Sequence, residues 1–575
     1  MLDTQLDYLT AGGLLAQLEP PPEPVYGFRH ALVQDAAYAT LLYSNRRRIH
    51  RIVAETLETL YPEQGDELAP LLGRHFYAAG DALRALPYLQ RAADRALARY
   101  AAVEAAQQYE LALSVATTPA DRSRLLAGLA EALQLQSRLT AALAAWRQAI
   151  PLYLEQGDVD QAARLWARAA RAALSAGQPA QGLALGREGL AQLASLAATP
   201  GLATLLHETA RACRVNGLPA EARQLARQAQ LLARRWGDVA TQAEALITLA
   251  ALPPQAPRKS LAALRAAIRL AAPADVPATA ARAYNNLALL VSFGLGDFRA
   301  GHRYYRHAAA LAQRMGQADL ELFYLSNATS MLLWLGRFAA IRRTIPILTA
   351  LAARSVSVAR PTYPLPFLEG LLLRFAGEEA AAIHCLRLCQ ADARARGDLQ
   401  YLGFVCDDLG ATLLASGDPA GAQVAFAEAW AIAERGLTLS PALTAWGLAT
   451  AYLAQDRLVA AQAVCDQLAA HAAQPARLFD QVWVQWLAAR LALVAGRPAA
   501  AWSAFAATEA LLVQLRLPWY RARLAAEWAA AYATHGSPAD LAHAAQLRAT
   551  AVAEFQQLGV PRWAARVAAT FPVEA

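Results

Sequence analysis

The chain has 575 residues, 56% of them hydrophobic and 17% charged; this is too apolar for a disordered chain and longer than one hydrophobic core organises, so several domains or a repeat array is expected. The net charge of +7 is mild over such a length and sets no partner by itself. The longest charge-free run, residues 436–455, carries Ser440, Pro441, Thr444 and Thr450 and makes a poor membrane span. Asp3 stands where a signal peptide needs basic residues, and five cysteines without framework spacing suit a reducing compartment, so a cytoplasmic chain is expected.

In chain order, residues 3–11 read as a short helix, 13–18 as a strand, the proline-rich stretch 19–24 as a loop and 25–29 as a returning strand. A hairpin followed by a helix is the tail of a winged-helix unit. The run Arg46-Arg47-Arg48-Ile49-His50-Arg51 follows on the next helical stretch. It is read as a solvated or interdomain face paired with Glu55 and Glu58, with a grip on phosphates as the alternative.

From about residue 63 the sequence repeats itself. A turn residue is followed by a small residue five further on, a bulky one at nine and a small one at twelve. Gly217 leads to Ala222, Ala226 and Ala229; Gly377 to Ala382, Leu386 and Cys389; Gly417 to Ala422, Phe426 and Ala429. Gly296 leads to Gly301, Tyr305 and Ala308, and Gly177 to Gly182, Gly186 and Gly189. These turns fall near 137, 177, 217, 257, 296, 336, 377, 417, 456, 496 and 536, about 40 residues apart. A second series lies between them: Gly157-Asp158, Gly237-Asp238, Gly316, Gly397-Asp398 and Gly436. Each repeat is therefore two helices and two turns, and the small residues on one face let the second helix approach the first closely. No strand is expected outside residues 12–30.

This pattern resembles the tetratricopeptide repeat (TPR) in its long bacterial form, with Asn286-Leu287-Ala288, Asn327-Ala328-Thr329 and Asp408-Leu409-Gly410 at the first-helix signature. The segment from Phe28 to Tyr38, continued by Arg46 to Ala54, is similar to the junction in STAND-class signalling ATPases. There the winged-helix end of the nucleotide switch meets a C-terminal TPR sensor, as in adenylate-cyclase-linked and MalT-like transcription-activating members. The resemblance implies an all-α, right-handed TPR-like solenoid of about a dozen hairpins over residues 63–575, with a winged-helix remnant and junction helix over 1–62. It also implies a sensor or regulatory role beside an ATPase module encoded upstream or lost.

Catalysis is not expected. Lys259 is the only lysine and no glycine-rich loop precedes it, so the chain has no P-loop. The run from Leu402 to Asp408 imitates a Walker B strand but falls inside a first helix. His207-Glu208 opens like a zinc-protease motif, yet Arg211 occupies the place of the second histidine. His384, Cys385, Cys389 and Cys406 are of zinc-ligating types, but Cys389 holds a small buried slot, so packing is the expected role. No cofactor and no metal is anticipated.

The expected function is recognition of a protein or peptide, or of a small inducer, along the concave wall lined by first helices. The residue nine before each mid-repeat turn should face it: Arg168, Glu208, Asn327 and Asp408, with Asn286 matching after a one-residue slip. Arg164, Arg168 and Arg171 share a helix face, and Arg211 and Arg214 recur one repeat later. This basic stripe would suit an acidic partner segment running on past Asn286 and Asn327. The alternative is a transcription-regulatory fragment contacting DNA through the winged-helix remnant and Arg46 to Arg51, although nucleic acid is disfavoured by the dispersed charge.

Overall fold

The structure, a computed structural model, describes residues 2–19, 24–252, 257–354, 364–435, 440–471, 478–537 and 540–569. Among them the chain forms 29 α-helices and one two-stranded antiparallel hairpin, Leu15–Glu19 with Val25–Phe28, in which Leu15 faces Phe28. No strand occurs after residue 28 among the described residues. The fold is an all-α helical-repeat solenoid.

The chain divides into two compact units, residues 1–169 and 170–575. The first begins with the helix Leu2–Ala11 and the hairpin. The first strand starts two residues later than the sequence suggests because Gly13, at φ +72°, ends the preceding helix in the left-handed region. Helices Ala31–Thr40 and Tyr43–Leu60 follow, then antiparallel helices up to the one that begins at Val159. Part of the expected 19–24 loop lies outside the described residues.

The second unit continues the helices through Pro561–Ala569. The two turn series have distinct local chemistry. At Gly157-Asp158 and Gly397-Asp398 the glycine takes the left-handed conformation and the aspartate caps the next helix, accepting from the backbone N–H three residues on at 3.0 Å. In the other series Ser137 and Asp456 adopt the same positive φ without glycine. The turn at 536 departs from the pattern, since Gly536 is extended (φ −82°). Gly436 and part of the weak turn near 257 lie outside the described residues.

Small repeat positions are buried as the spacing requires: Ala222, Ala229, Ala308, Ala382, Ala422 and Ala429 are all fully inaccessible, and Phe426 and Leu386 fill the space between them. The slip at Asn286 has a structural cause. Residues Leu290–Gly294 form a π-helical turn, which inserts one extra residue before Gly296.

In a simple repeat array each repeat touches only its neighbours. Here the second unit folds back on itself. Phe293 packs edge-on against Phe479 at 5.3 Å, Trp334 stacks on Tyr520 at 5.3 Å and Phe375 meets Trp519 at 4.6 Å. Arg566 is paired with Glu379, 187 residues away in sequence, at 2.8 Å. One continuous core runs from Ala288 to Ala564.

Candidate functional site

Two stretches of first-helix wall carry the residues expected to meet a ligand, and they differ in what surrounds those residues. In the earlier stretch the charges are engaged within the chain. Arg164 holds Asp160 of its own helix at 2.7 Å, and Arg168 is paired with Glu131. Glu208 is fully buried; its carboxylate accepts from Arg171 at 2.5 and 3.0 Å and from Arg211 at 2.7 Å, with His207 Nδ1 3.4 Å away. Burial alone would raise the Glu208 carboxyl, but Arg211, His207 and Arg171 together hold it well below the usual carboxylate range. Burial lowers His207 to about 4, so it is neutral at pH 7 and shares a 3.1 Å hydrogen bond with Thr248. Arg214 is exposed.

In the later stretch Asn286, Asn327 and Asp408 line a common cavity of about 360 Å³. Its wall comes mainly from the first helices Pro277–Leu289, Ala318–Trp334, Pro364–Ala376, Leu399–Ala415 and Pro441–Leu453, while Phe293 projects from the π turn and Phe479 and Tyr520 come from the returning helices. Asn327 Nδ2 donates to Asn285 Oδ1 at 3.5 Å, and Asn285 Nδ2 donates to Asn286 Oδ1 at 3.2 Å, forming an amide ladder between two repeats. Asp408 accepts from Arg374 at 2.6 Å, and that guanidinium, 6% exposed, lies 5.0 Å from the Phe375 ring centre.

Several polar atoms on this wall are not satisfied by the protein. Ser326 Oγ and Trp446 Nε1, on side chains of residues 3% and 4% exposed, find no hydrogen-bond partner among the described residues. Asp407 Oδ2 accepts from Thr444 Oγ1 at 3.0 Å, but Oδ1 likewise finds none. Burial pushes the Asp407 carboxyl well above the ordinary range, the Thr444 hydroxyl opposing this and Asp408 adding to it. Buried polar atoms without partners are uncommon and call for a physical reason.

Sequence reasoning missed Arg374, Asp407, Ser326 and the aromatic wall of Phe404, Tyr401 and Trp446. Asp407 was visible only within an imitation of a Walker B strand; the structure places it beside the expected Asp408 on the helix Leu399–Ala415. Arg374 carries no signal beyond its place three residues before a turn.

The remaining sequence candidates resolve as follows. Glu55 and Glu58 do not pair with the Arg46–Arg51 run as expected. Both reach across to Arg84, Glu55 at 2.9 Å, because the helix that carries them packs against its neighbours on that face. Arg46 donates to the carbonyls of Leu41 and Ala39, and Arg47 to that of Ala79, so both guanidiniums serve the cap itself and leave Arg48 and Arg51 outward. Cys389 fills its small slot at 3% exposure, Cys406 donates to Glu428 at 3.2 Å, and His384 faces solvent.

The fold and this wall define an all-α, TPR-like helical-repeat solenoid with a cavity on the first-helix face of its second unit. Similar solved structures include a Rap protein complexed with competence and sporulation factor (11% identity, TM-score 0.45, covering 61% of this chain and 98% of that one) and the apo form of RapI (10% identity, TM-score 0.39, 61% and 98%). A STAND protein with a tetratricopeptide repeat sensor from Pyrococcus horikoshii is also similar (13% identity, TM-score 0.38), over 74% of this chain and 57% of that one. No family model and no curated protein matches the sequence.

Proposed function

We propose that this chain is a non-catalytic recognition module that captures a protein or peptide segment, or a small inducer, on its first-helix wall, and serves as the sensor arm of a cytoplasmic signal-transduction ATPase. The observation that carries the reading is the cavity shared by Asn286, Asn327 and Asp408, three positions in one repeat register. Its volume falls in the range of small-molecule and short-peptide sites. Support for a partner module comes from the N-terminal cap, where Tyr8, Leu32, Leu42 and Tyr43 are each at least 70% exposed. Large apolar side chains exposed to that degree would suit the apolar surface of a partner. Capture in the cavity would favour one arrangement of the coil and alter the cap's affinity for its module. Within the second unit Arg171, Glu208, Arg211 and Arg214 add a polar cluster suited to an acidic segment, and Arg164 and Arg168 offer the same chemistry in the first unit.

The test is a thermal-shift screen of the full chain against peptides and metabolites, repeated with Asn327→Phe, which fills the cavity. A ligand whose stabilisation is lost in that variant supports the reading. Hits indifferent to the variant, or ATP hydrolysis by the purified chain in a phosphate-release assay, would overturn it.

A further inference from the structure

The charge and the rings of the cavity wall narrow what it can hold. Three carboxylates, Asp398, Asp407 and Asp408, stand against one guanidinium, Arg374, which Asp408 already engages at 2.6 Å. An anion placed there would meet Asp408, whose guanidinium partner is already engaged, and would oppose any ionisation of Asp407 in a partly desolvated space. A cation would meet carboxylates and, alongside them, the half-buried ring of Phe404, whose quadrupole attracts positive charge; the Trp446 ring already carries the Arg490 guanidinium at 4.8 Å. The π-helical turn points to the same place, since such turns gather at functional sites and this one puts Phe293 on the cavity wall.

We propose that the cavity takes a compact organic cation, a protonated amine or guanidinium on an apolar body, held by Asp407 and the Phe404 ring. This rests on the reading of the cavity as the recognition site and names its ligand chemistry. The cation can come from a free amine or from a basic side chain of a bound peptide. Because burial raises the Asp407 carboxyl, capture of a cation draws it into the charged form and releases a proton. The groups facing it are Asp408 on its own helix, Arg374 and Tyr520 from packed helices, and the Thr444 hydroxyl. Affinity therefore rises with pH until Asp407 is ionised without ligand.

Calorimetry on the full chain tests this with phenethylammonium, its neutral counterpart 2-phenylethanol and the anion 3-phenylpropionate. A blocked pentapeptide with one arginine between phenylalanines, paired with its citrulline version, forms the second arm. In at least one arm the cation should bind about tenfold or more tighter than its neutral counterpart, with the anion weakest. The arm that shows the preference identifies the source. Asp407→Asn should abolish the preference for the cation over its neutral counterpart; Phe404→Leu, at a half-buried position, should weaken the cation several-fold with the carboxylates intact. Equal binding of cation and neutral probe in both arms, or a preference for the anion, overturns the cation assignment and leaves the recognition reading standing. No binding by any probe, together with no cavity-dependent hit in the thermal-shift screen, overturns both.

Discussion

Arg168 and Glu208 occupy the same repeat position as Asn327 and Asp408, yet the two stretches of wall do opposite things. Around Glu208 the carboxylate accepts three hydrogen bonds from Arg171 and Arg211, and His207 is held neutral beside it. Around Asp407 and Asp408 one carboxyl oxygen, one hydroxyl and one indole N–H find no partner among the described residues, and a cavity lies between the helices. The difference teaches that repeat register decides which residues face inward, whereas the neighbouring repeats decide whether those residues are spent on stability or left for a ligand.

The comparison breaks most clearly at Glu208. Replacing it by Leu should cost about 3 kcal/mol or more, because the guanidiniums of Arg171 and Arg211 lose the buried carboxylate that is their counter-charge. Asn327→Leu on the cavity wall should cost about 1 kcal/mol, the worth of one long amide hydrogen bond. Denaturant melts of the two variants measure the gap; equal losses would mean that the two walls are built alike.

Packing at the small positions should rank next. Ala222→Leu and Ala422→Leu, both at fully buried sites, should destabilise by about 1–3 kcal/mol through overpacking at a close helix approach. An unchanged melting temperature in either would contradict the repeat register.

The double change Arg168→Glu with Arg171→Glu sharpens the comparison from the other side. From sequence alone it should abolish capture of an acidic partner and spare the fold. In the structure it removes the partner of Glu131 and sets a new carboxylate beside buried Glu208, so a lowered melting temperature accompanies any loss of binding. Arg214→Glu, at an exposed position without that liability, is the variant that reports on an acidic partner, read as a change in the salt dependence of capture.

The smallest effect is a pH dependence. Glu208 has a folded-state pKa below its unfolded value, so its contribution is present above the ordinary carboxylate range and is lost as pH falls from there through the depressed folded value. Glu208→Gln should flatten this part of the acid limb of a stability curve. Asp407, shifted upward, acts in the opposite sense: its ionisation costs stability as pH rises above the ordinary range, and Asp407→Asn removes that cost.

The sequence by itself determined the helical hairpins, their 40-residue spacing, the Gly-Asp turns and the buried small slots, because each follows from contacts within one repeat or with the next. It also placed Asn286, Asn327 and Asp408 on one wall, and even the one-residue slip at Asn286 was legible before the π turn explained it. The tertiary structure alone decided the rest. Phe293 reaching Phe479 and Arg566 reaching Glu379 depend on small rotations accumulated over several repeats, which no local pattern records. Packing between neighbouring hairpins decided that Arg84 takes Glu55 and Glu58 from the basic run, that Arg374 meets Asp408, and that Asp407 is buried with one oxygen without a partner among the described residues. A side chain's charge is written in the sequence, but its partner is fixed only when helices of neighbouring or distant repeats are packed together.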